Sequence, residues 1–302
     1  MKLYNIFFCL AILSLLVSCD KEEQPPSYFH LKNIGFESNP NADNNQGSLR
    51  QNITNAYVLV REIGDTGPSE DLGYQNIPST FPYLGSGLST ITFTPAVMVN
   101  ASSSSIIEYP HFEPIVVDNR DVKLLEIDTF SLTTRYKSND QIEFLFNEDF
   151  EANESIFRDY AIAGTDGLFV NQNEVVYEGG QSGYIHLDLA DSLFVIDVAT
   201  FTKYQLTTNR PFLEMDVMTD MALSFGLVAT NSTTGEVIQA TVGGVFDTDG
   251  VWKKVYFQLT ETVSFFETRN FDEFQIYFGA QLLGTQTEGN IYIDNVKLIQ
   301  QR

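Results

Sequence analysis

Ile291-Tyr292-Ile293-Asp294-Asn295-Val296-Lys297-Leu298 is the stretch on which the fold turns. β-Branched and aromatic residues crowd it, and an extended strand sends successive side chains to opposite faces. With period two, Tyr292, Asp294, Val296 and Leu298 share one face, which sets the Asp294 carboxylate in line with apolar neighbours. Other segments of strand length read the same way. Residues 56–60, 89–93, 141–146, 255–259 and 275–278 are rich in Val, Ile, Phe, Tyr and Thr. Gly85-Ser86-Gly87, Glu178-Gly179-Gly180, Gly243-Gly244 and Asp249-Gly250 punctuate them as turns. No segment keeps a helical period over three turns. Many short strands with turn signals and no helices predict an all-β chain of β-sandwiches.

The chain has 302 residues, enough for about two domains. Hydrophobic residues make up 43% and aromatics 13%, more than a disordered chain carries. Seventeen basic residues against 40 acidic ones leave a net charge of −23, which excludes a nucleic-acid partner for want of a basic footprint. Two cysteines and three histidines allow no four-cysteine zinc site and no disulfide framework. The interruption Tyr136-Lys137-Ser138-Asn139-Asp140 marks the boundary between a small sandwich over 27–138 and a second unit over 139–302.

Residues 1–18 read as a secretory leader, with Lys2 ahead of an apolar run from Ile6 to Val17 that is too short to span a bilayer. Leu16-Val17-Ser18-Cys19 resembles the lipobox of bacterial lipoproteins, which implies acylation of Cys19 and attachment to a membrane through lipid. Cys9 leaves with the leader, so the mature body keeps no free thiol. Its acidity repels anionic lipid, which places the whole burden of attachment on the acyl chains. Asp20-Lys21-Glu22-Glu23 resembles the acidic signal that exports lipoproteins to the outer face of the outer membrane, with the periplasmic face as the alternative address. Residues 19–26 form a tether of at most about 25 Å.

Within the first unit, the segments 57–60, 72–74, 77–82 and 84–93 resemble the small surface β-domains of the PEGA type, without the tetrapeptide itself. Ser102–Ser105 is a flexible loop at best. In the second unit, Asp149-Phe150-Glu151, the run from Val175 to Gly183, Trp252-Lys253-Lys254-Val255-Tyr256-Phe257 and the closing strand resemble the jelly rolls of carbohydrate-binding modules. That resemblance implies a jelly-roll β-sandwich and a glycan ligand. It also implies a structural Ca2+ held by acidic residues where the first and last strands meet, here Asp149, Glu151 and Asp294, with Glu148 and Asn153 near. The alternative for Asp294 is a carboxylate satisfied by backbone N–H groups.

Flat rings with polar edges are the usual handle on a sugar, so Trp252 and Tyr256, sharing a strand face, are the first ligand candidates. Tyr177 and Tyr184, flanking the glycine-rich turn, come next. The competing role for each is core packing. Glu214-Met215-Asp216-Val217-Met218 resembles the core of a retaining glycosidase motif, but Thr219 stands where the second glutamate belongs, and Asp220 comes one residue late. A solvent-facing structural strand is the reading preferred here. His30, His111 and His186 show no ligand spacing. Asp191-Ser192-Leu193 resembles a bacterial O-glycosylation acceptor. These readings converge on a lipid-anchored, non-enzymatic surface protein that binds glycan, or else docks to an outer-membrane protein, with hydrolysis third.

Overall fold

The computed structural model describes residues 24–42, 46–100, 105–152, 155–159, 169–188, 195–200, 202–282 and 284–302. Cys19 and the tether's acidic start, Ser102 to Ser104, Asn153, and Asp191-Ser192-Leu193 lie outside the described residues. Strand dominates the rest, in four sheets that pair into two β-sandwiches.

The first sandwich opens with β1 (Ser27–Phe36), which pairs antiparallel with β4 (Ser79–Tyr83) and parallel with β8 (Ile127–Thr134). Its facing sheet runs β3 (Glu70–Asn76), β2 (Asn55–Glu62), β5 (Gly87–Met98), and the far edge of β5 carries both β6 (Ile106–Glu108) and β7 (Ile115–Val122). Alternation in the sequence fills the space between them: Phe29 and Leu31, Val58 and Val60, Ile91 and Phe93 all point inward. Long strands lead away from the chain's entry at Ser27. β1, β5 and β8 all run from that end toward the second sandwich, as their pairing register requires.

The second sandwich is the jelly roll. One sheet orders β11 (Phe169–Gln172), β12 (Ser182–Asp188), β19 (Glu288–Gln301), β14 (Phe212–Thr219) and β17 (Lys253–Gln258), with β9 (Ile142–Glu148) against the later half of β19. The other orders β10 (Phe157–Asp159), β13 (Val195–Thr200), β18 (Glu273–Gln281), β15 (Ala222–Thr230) and β16 (Val237–Val245). Every pairing in this sandwich is antiparallel.

Three expectations need correction. A helix is present: α1 (Thr260–Glu267) buries Val263 and Phe266, three residues apart, and at two turns it is too short to declare a period. Gly243-Gly244 is no turn but lies inside β16, next to a bulge, where a Cβ on Gly244 would come within 2.8 Å of the Leu223 carbonyl oxygen. The third concerns β19. Glu214 pairs with Lys297 and Asp216 with Asp294, so three residues on β19 span the length of two on β14. Asn295 takes up the extra length with φ of 50°, in the left-handed region that asparagine tolerates. Parity therefore flips midway. Ile291, Ile293, Val296 and Leu298 enter the jelly-roll core, whereas Tyr292, Asp294 and Lys297 occupy the opposite face.

A third core joins the sandwiches. Val97, Val99, Tyr109, Phe112 and Tyr136 from the first pack on Ile142, Phe212, Tyr256 and Ile299 from the second. Val99 bridges to Tyr256, and the Asn100 N–H donates to the Tyr256 carbonyl at 2.7 Å, so the end of β5 covers the edge of β17.

Candidate functional site

The outer face of the large jelly-roll sheet carries the side chains that alternate with its core. On β14 these are Phe212, Glu214, Asp216 and Met218; on β17 they are Lys254, Tyr256 and Gln258. The first sandwich seals part of this face, and five ionisable groups are trapped there. Glu214, Asp216, Asp294 and Lys297 are all 0% exposed, and the Lys254 side chain is 4% exposed. Such burial is tolerable only where each charge has partners. Glu214 accepts from the Tyr109 hydroxyl at 2.6 Å and the Tyr136 hydroxyl at 2.8 Å. Lys254 Nζ stands 3.8 Å from Glu214 and 3.5 Å from Asp216, which also accepts from the Asn295 amide at 3.2 Å. Lys297 donates to the Ser48 carbonyl and, at 3.3 Å, to the Tyr136 hydroxyl.

Burial is the leading cause of every shift in this cluster. It pushes the Asp294 carboxyl up to about 7, against the opposing pull of N–H donors from Glu178 and Asn295. It pushes Lys297 down to about 7, helped by the neighbouring charge of Lys254. Asp216 is raised for the same reason, and Tyr109, Tyr136 and Tyr256 are held well above the ordinary phenol range, with the Glu214 charge as the second cause for each. Tyr109 and Tyr136 therefore remain hydrogen-bond donors to Glu214. Its strand is not solvent-facing as expected: the parity was right, but the neighbouring sandwich covers that side. Two tyrosine hydroxyls cap this buried carboxylate.

Beside this floor opens a cleft of about 950 Å³. Arg50, Asn52 and Asn100 line it from the first sandwich, and Tyr177, Phe246, Asp247 and Trp252 from the second. Trp252 and Tyr177 are half-buried, with ring centroids 5.3 Å apart and planes 37° apart. The Arg50 guanidinium lies 4.7 Å from the Tyr177 ring centroid and 3.9 Å from Glu178. Phe246 is 68% exposed at the rim, and Val251 stands beside Trp252, also exposed. Asp247 is the one carboxylate among the described residues that line the cleft.

Of the four ring candidates, Trp252 and Tyr177 meet in this cleft. Tyr256 does not belong with them. It is 1% exposed in the junction core, where its hydroxyl accepts from the Asn52 N–H and donates to Gln51 Oε1, each at 2.9 Å. Alternation along β17 placed it on the correct face, but that part of the face is occupied. Tyr184 lies farther along the same outer face, stacked on Tyr292 at 5.0 Å and donating to Asn290 Oδ1 at 2.7 Å. Tyr184 pairs with Tyr292, and Tyr292 with Met218, so these side chains form a row across the sheet that leads toward Trp252.

Of the residues expected to hold calcium, Asp149 and Glu151 line one small pocket with Glu178 and Asn295, and all three carboxylates, Asp294 included, accept from backbone N–H groups. Asp149 accepts from the Glu151 N–H at 3.2 Å, and Glu151 from the N–H groups of Gly180 at 2.7 Å and Gln181 at 3.0 Å. Asp294 accepts from those of Glu178 at 3.2 Å and Asn295 at 2.8 Å. Backbone donors thus satisfy each carboxylate separately, and among the described residues no group of three or more His, Cys, Asp or Glu is placed to hold a metal ion. Glu148 likewise accepts from Phe150 and Ile156. The histidines are dispersed: His30 meets Thr80, His186 meets Asn290, and His111 is buried and pushed down to about 3.

Sequence reasoning singled out neither Arg50 nor Phe246, and it met Lys254 only within the segment 252–257. Phe246, an aromatic at a strand end ahead of the Asp249-Gly250 turn, was the one with a local signal; Arg50 sits in an irregular stretch whose position only the docked sandwiches define.

No protein-family model matches the chain, and no curated protein is significantly similar to it. Among solved structures, the chain is similar to a xylan-binding domain of carbohydrate-binding-module family 22, at 11% identity and a TM-score of 0.36 over 52% of this chain and 94% of that one. It is also similar to the tandem family 22 modules of Paenibacillus barcinonensis Xyn10C, at 14% identity and 0.38 over 82% and 73%. A third neighbour, described as a promiscuous carbohydrate-binding module of the β-sandwich superfamily, gives 15% and 0.39 over 91% and 98%.

Proposed function

We propose that this chain is a lipid-anchored, non-enzymatic surface protein that binds a glycan in the cleft between its sandwiches. The observation that carries this reading is the pair of half-buried rings, Trp252 and Tyr177, on one wall of an open cleft, facing polar side chains from the other sandwich. Apolar faces to stack on and amide or guanidinium groups to hydrogen-bond are what an uncharged, hydroxyl-rich ligand needs. The non-enzymatic part is supported by the burial of Glu214 and Asp216, which leaves Asp247 without a second carboxylate across the described cleft. Anchoring rests on Cys19 within Leu16-Val17-Ser18-Cys19, and the outer membrane's exterior face on Asp20-Lys21-Glu22-Glu23.

Trp252→Ala should weaken binding to a retained polysaccharide by at least about tenfold, equivalent to about 1.4 kcal/mol, with the melting temperature unchanged. Calorimetric titration of wild type and variant against a polysaccharide panel decides it, and wild-type affinity in the variant would remove the site. Exposed Phe246 at the rim, with exposed Val251 next to Trp252 in the chain, favours a second reading, a protein partner docking over the same rings. Binding of no polysaccharide by wild type, with a partner lost on Phe246→Ser, would favour that reading. For the anchor, Cys19→Ala should move the folded protein out of the membrane fraction; retention there would contradict lipid attachment.

A further inference from the structure

The end of the first sandwich opposite the cleft bears an apolar cluster that the binding site does not use. Leu125 is 70% exposed, Leu84 67% and Ile127 61%, with Leu88 and Ile63 also exposed. They come from three separate connections, yet hydrogen bonds gather them in one place. The Ile63 N–H donates to the Leu88 carbonyl at 2.7 Å, and Ile127 pairs with Tyr28. Leu125 stands at φ of 63°, an uncommon conformation for a bulky residue, which holds its side chain up on a tight turn.

The chain enters the fold at this same spot. The Leu125 N–H donates to the Pro26 carbonyl at 3.0 Å, the Ser27 hydroxyl to the Gly85 carbonyl at 2.7 Å, and the Gln24 amide to Ser86 at 3.3 Å. Gln24 is five chain steps from Cys19, a reach of at most about 18 Å. β1, β5 and β8 run from this end toward the junction, and 10 to 12 residues of strand cover roughly 35 Å. An anchor at Cys19 therefore brings these loops, and not the cleft, against the lipid.

We infer that the loops bearing Leu84 and Leu125, with Ile127 at the start of β8, dock into the boundary between headgroups and hydrocarbon of the leaflet that holds the acyl chains. The inference rests on the anchoring part of the proposed function. Exposed Glu62, Asp65 and Glu126 stand among the apolar residues together with exposed Arg61 and Lys123, the latter 4.0 Å from Glu126, and this mixed charge suits a zwitterionic boundary. Loop side chains that enter this boundary add buried apolar area to that of the acyl chains and fix the orientation of the body.

The test uses the full acylated chain in phosphatidylcholine vesicles, with Leu84→Cys or Leu125→Cys labelled by an environment-sensitive fluorophore. Glu236→Cys, on the exposed turn between β15 and β16, serves as the reference. Docking gives blue-shifted emission at both loop positions, quenched by lipid carrying a nitroxide on its acyl chain, and neither effect at the reference. Unshifted, unquenched emission at positions 84 and 125 in protein whose mass includes the acyl group overturns the docking alone. A mass without acyl chains overturns the anchoring reading, and the docking with it.

Discussion

Glu214→Gln separates a structural carboxylate from a catalytic one, because the two roles predict opposite outcomes. The side chain is fully buried and accepts two tyrosine hydroxyls at 2.6 and 2.8 Å, with Lys254 at 3.8 Å. Hydrogen bonds to a charged group contribute about 1.5–3 kcal/mol net, and those between neutral groups about 0.5–1.5. Neutralising the acceptor thus costs about 1 kcal/mol per bond, or about 2 for the pair. Lys254 and Lys297 lose a compensating charge in a dry setting, which raises the total to about 2–4 kcal/mol. Urea unfolding followed by tyrosine and tryptophan fluorescence should show a midpoint lowered by about 1 M, given a slope of about 3 kcal/mol per molar. Polysaccharide hydrolysis should be absent from wild type and variant alike. A catalytic acid held at a cost to the fold would behave in the reverse way, with the variant as stable or more so and wild-type hydrolysis abolished. An unmoved or raised midpoint would refute the argument from burial.

Two further outcomes follow from the same cluster and its surroundings. Burial raises Asp294 to about 7, so the folded state holds this proton more tightly than the unfolded one, and stability falls as pH rises from about 4 to about 7. Asp294→Asn removes that loss; its melting temperature relative to wild type should rise between pH 5 and pH 8, and a constant difference across that range would refute the shift. Chelation should leave the melting curve unmoved, since backbone N–H groups satisfy Asp149, Glu151 and Asp294 individually. A lowered melting temperature in chelator, restored by calcium, would reinstate the metal.

Alternation and turn signals were sufficient for the all-β class and for most strand positions, because period two is written into runs such as Ile91 to Phe93 and Val58 to Val60. They were insufficient wherever one residue is inserted. At Asn295 a single left-handed residue reverses the parity of the closing strand, and a pattern of apolar residues on both sides of it does not announce the change. The same limit governs the site. Trp252 and Tyr177 were legible as flat rings near turns, and both reach the cleft. Tyr256 and Glu214 looked equally available, on the correct face of their strands, but exposure depends on what covers the sheet. Tyr109, Tyr136 and Ser48 provide that cover from more than 70 residues away in the sequence, through contacts that no local pattern encodes.

The parallel pairing of β1 with β8 has a mechanical consequence. A body held at the Ser27 end, with a ligand pulling on the distal cleft, is loaded between the start of β1 and the finish of β8. In parallel strands those two points lie at opposite ends of the ladder, so tension shears the hydrogen bonds rather than peeling them one by one. Every rung from Tyr28 to Phe36 must yield together, and survival under load is governed by the height of the unfolding barrier rather than by equilibrium stability. An antiparallel pair in the same place would unzip from one end. Under the proposed anchoring and binding, the first sandwich would act as a tension member that shears rather than peels when its far end is pulled.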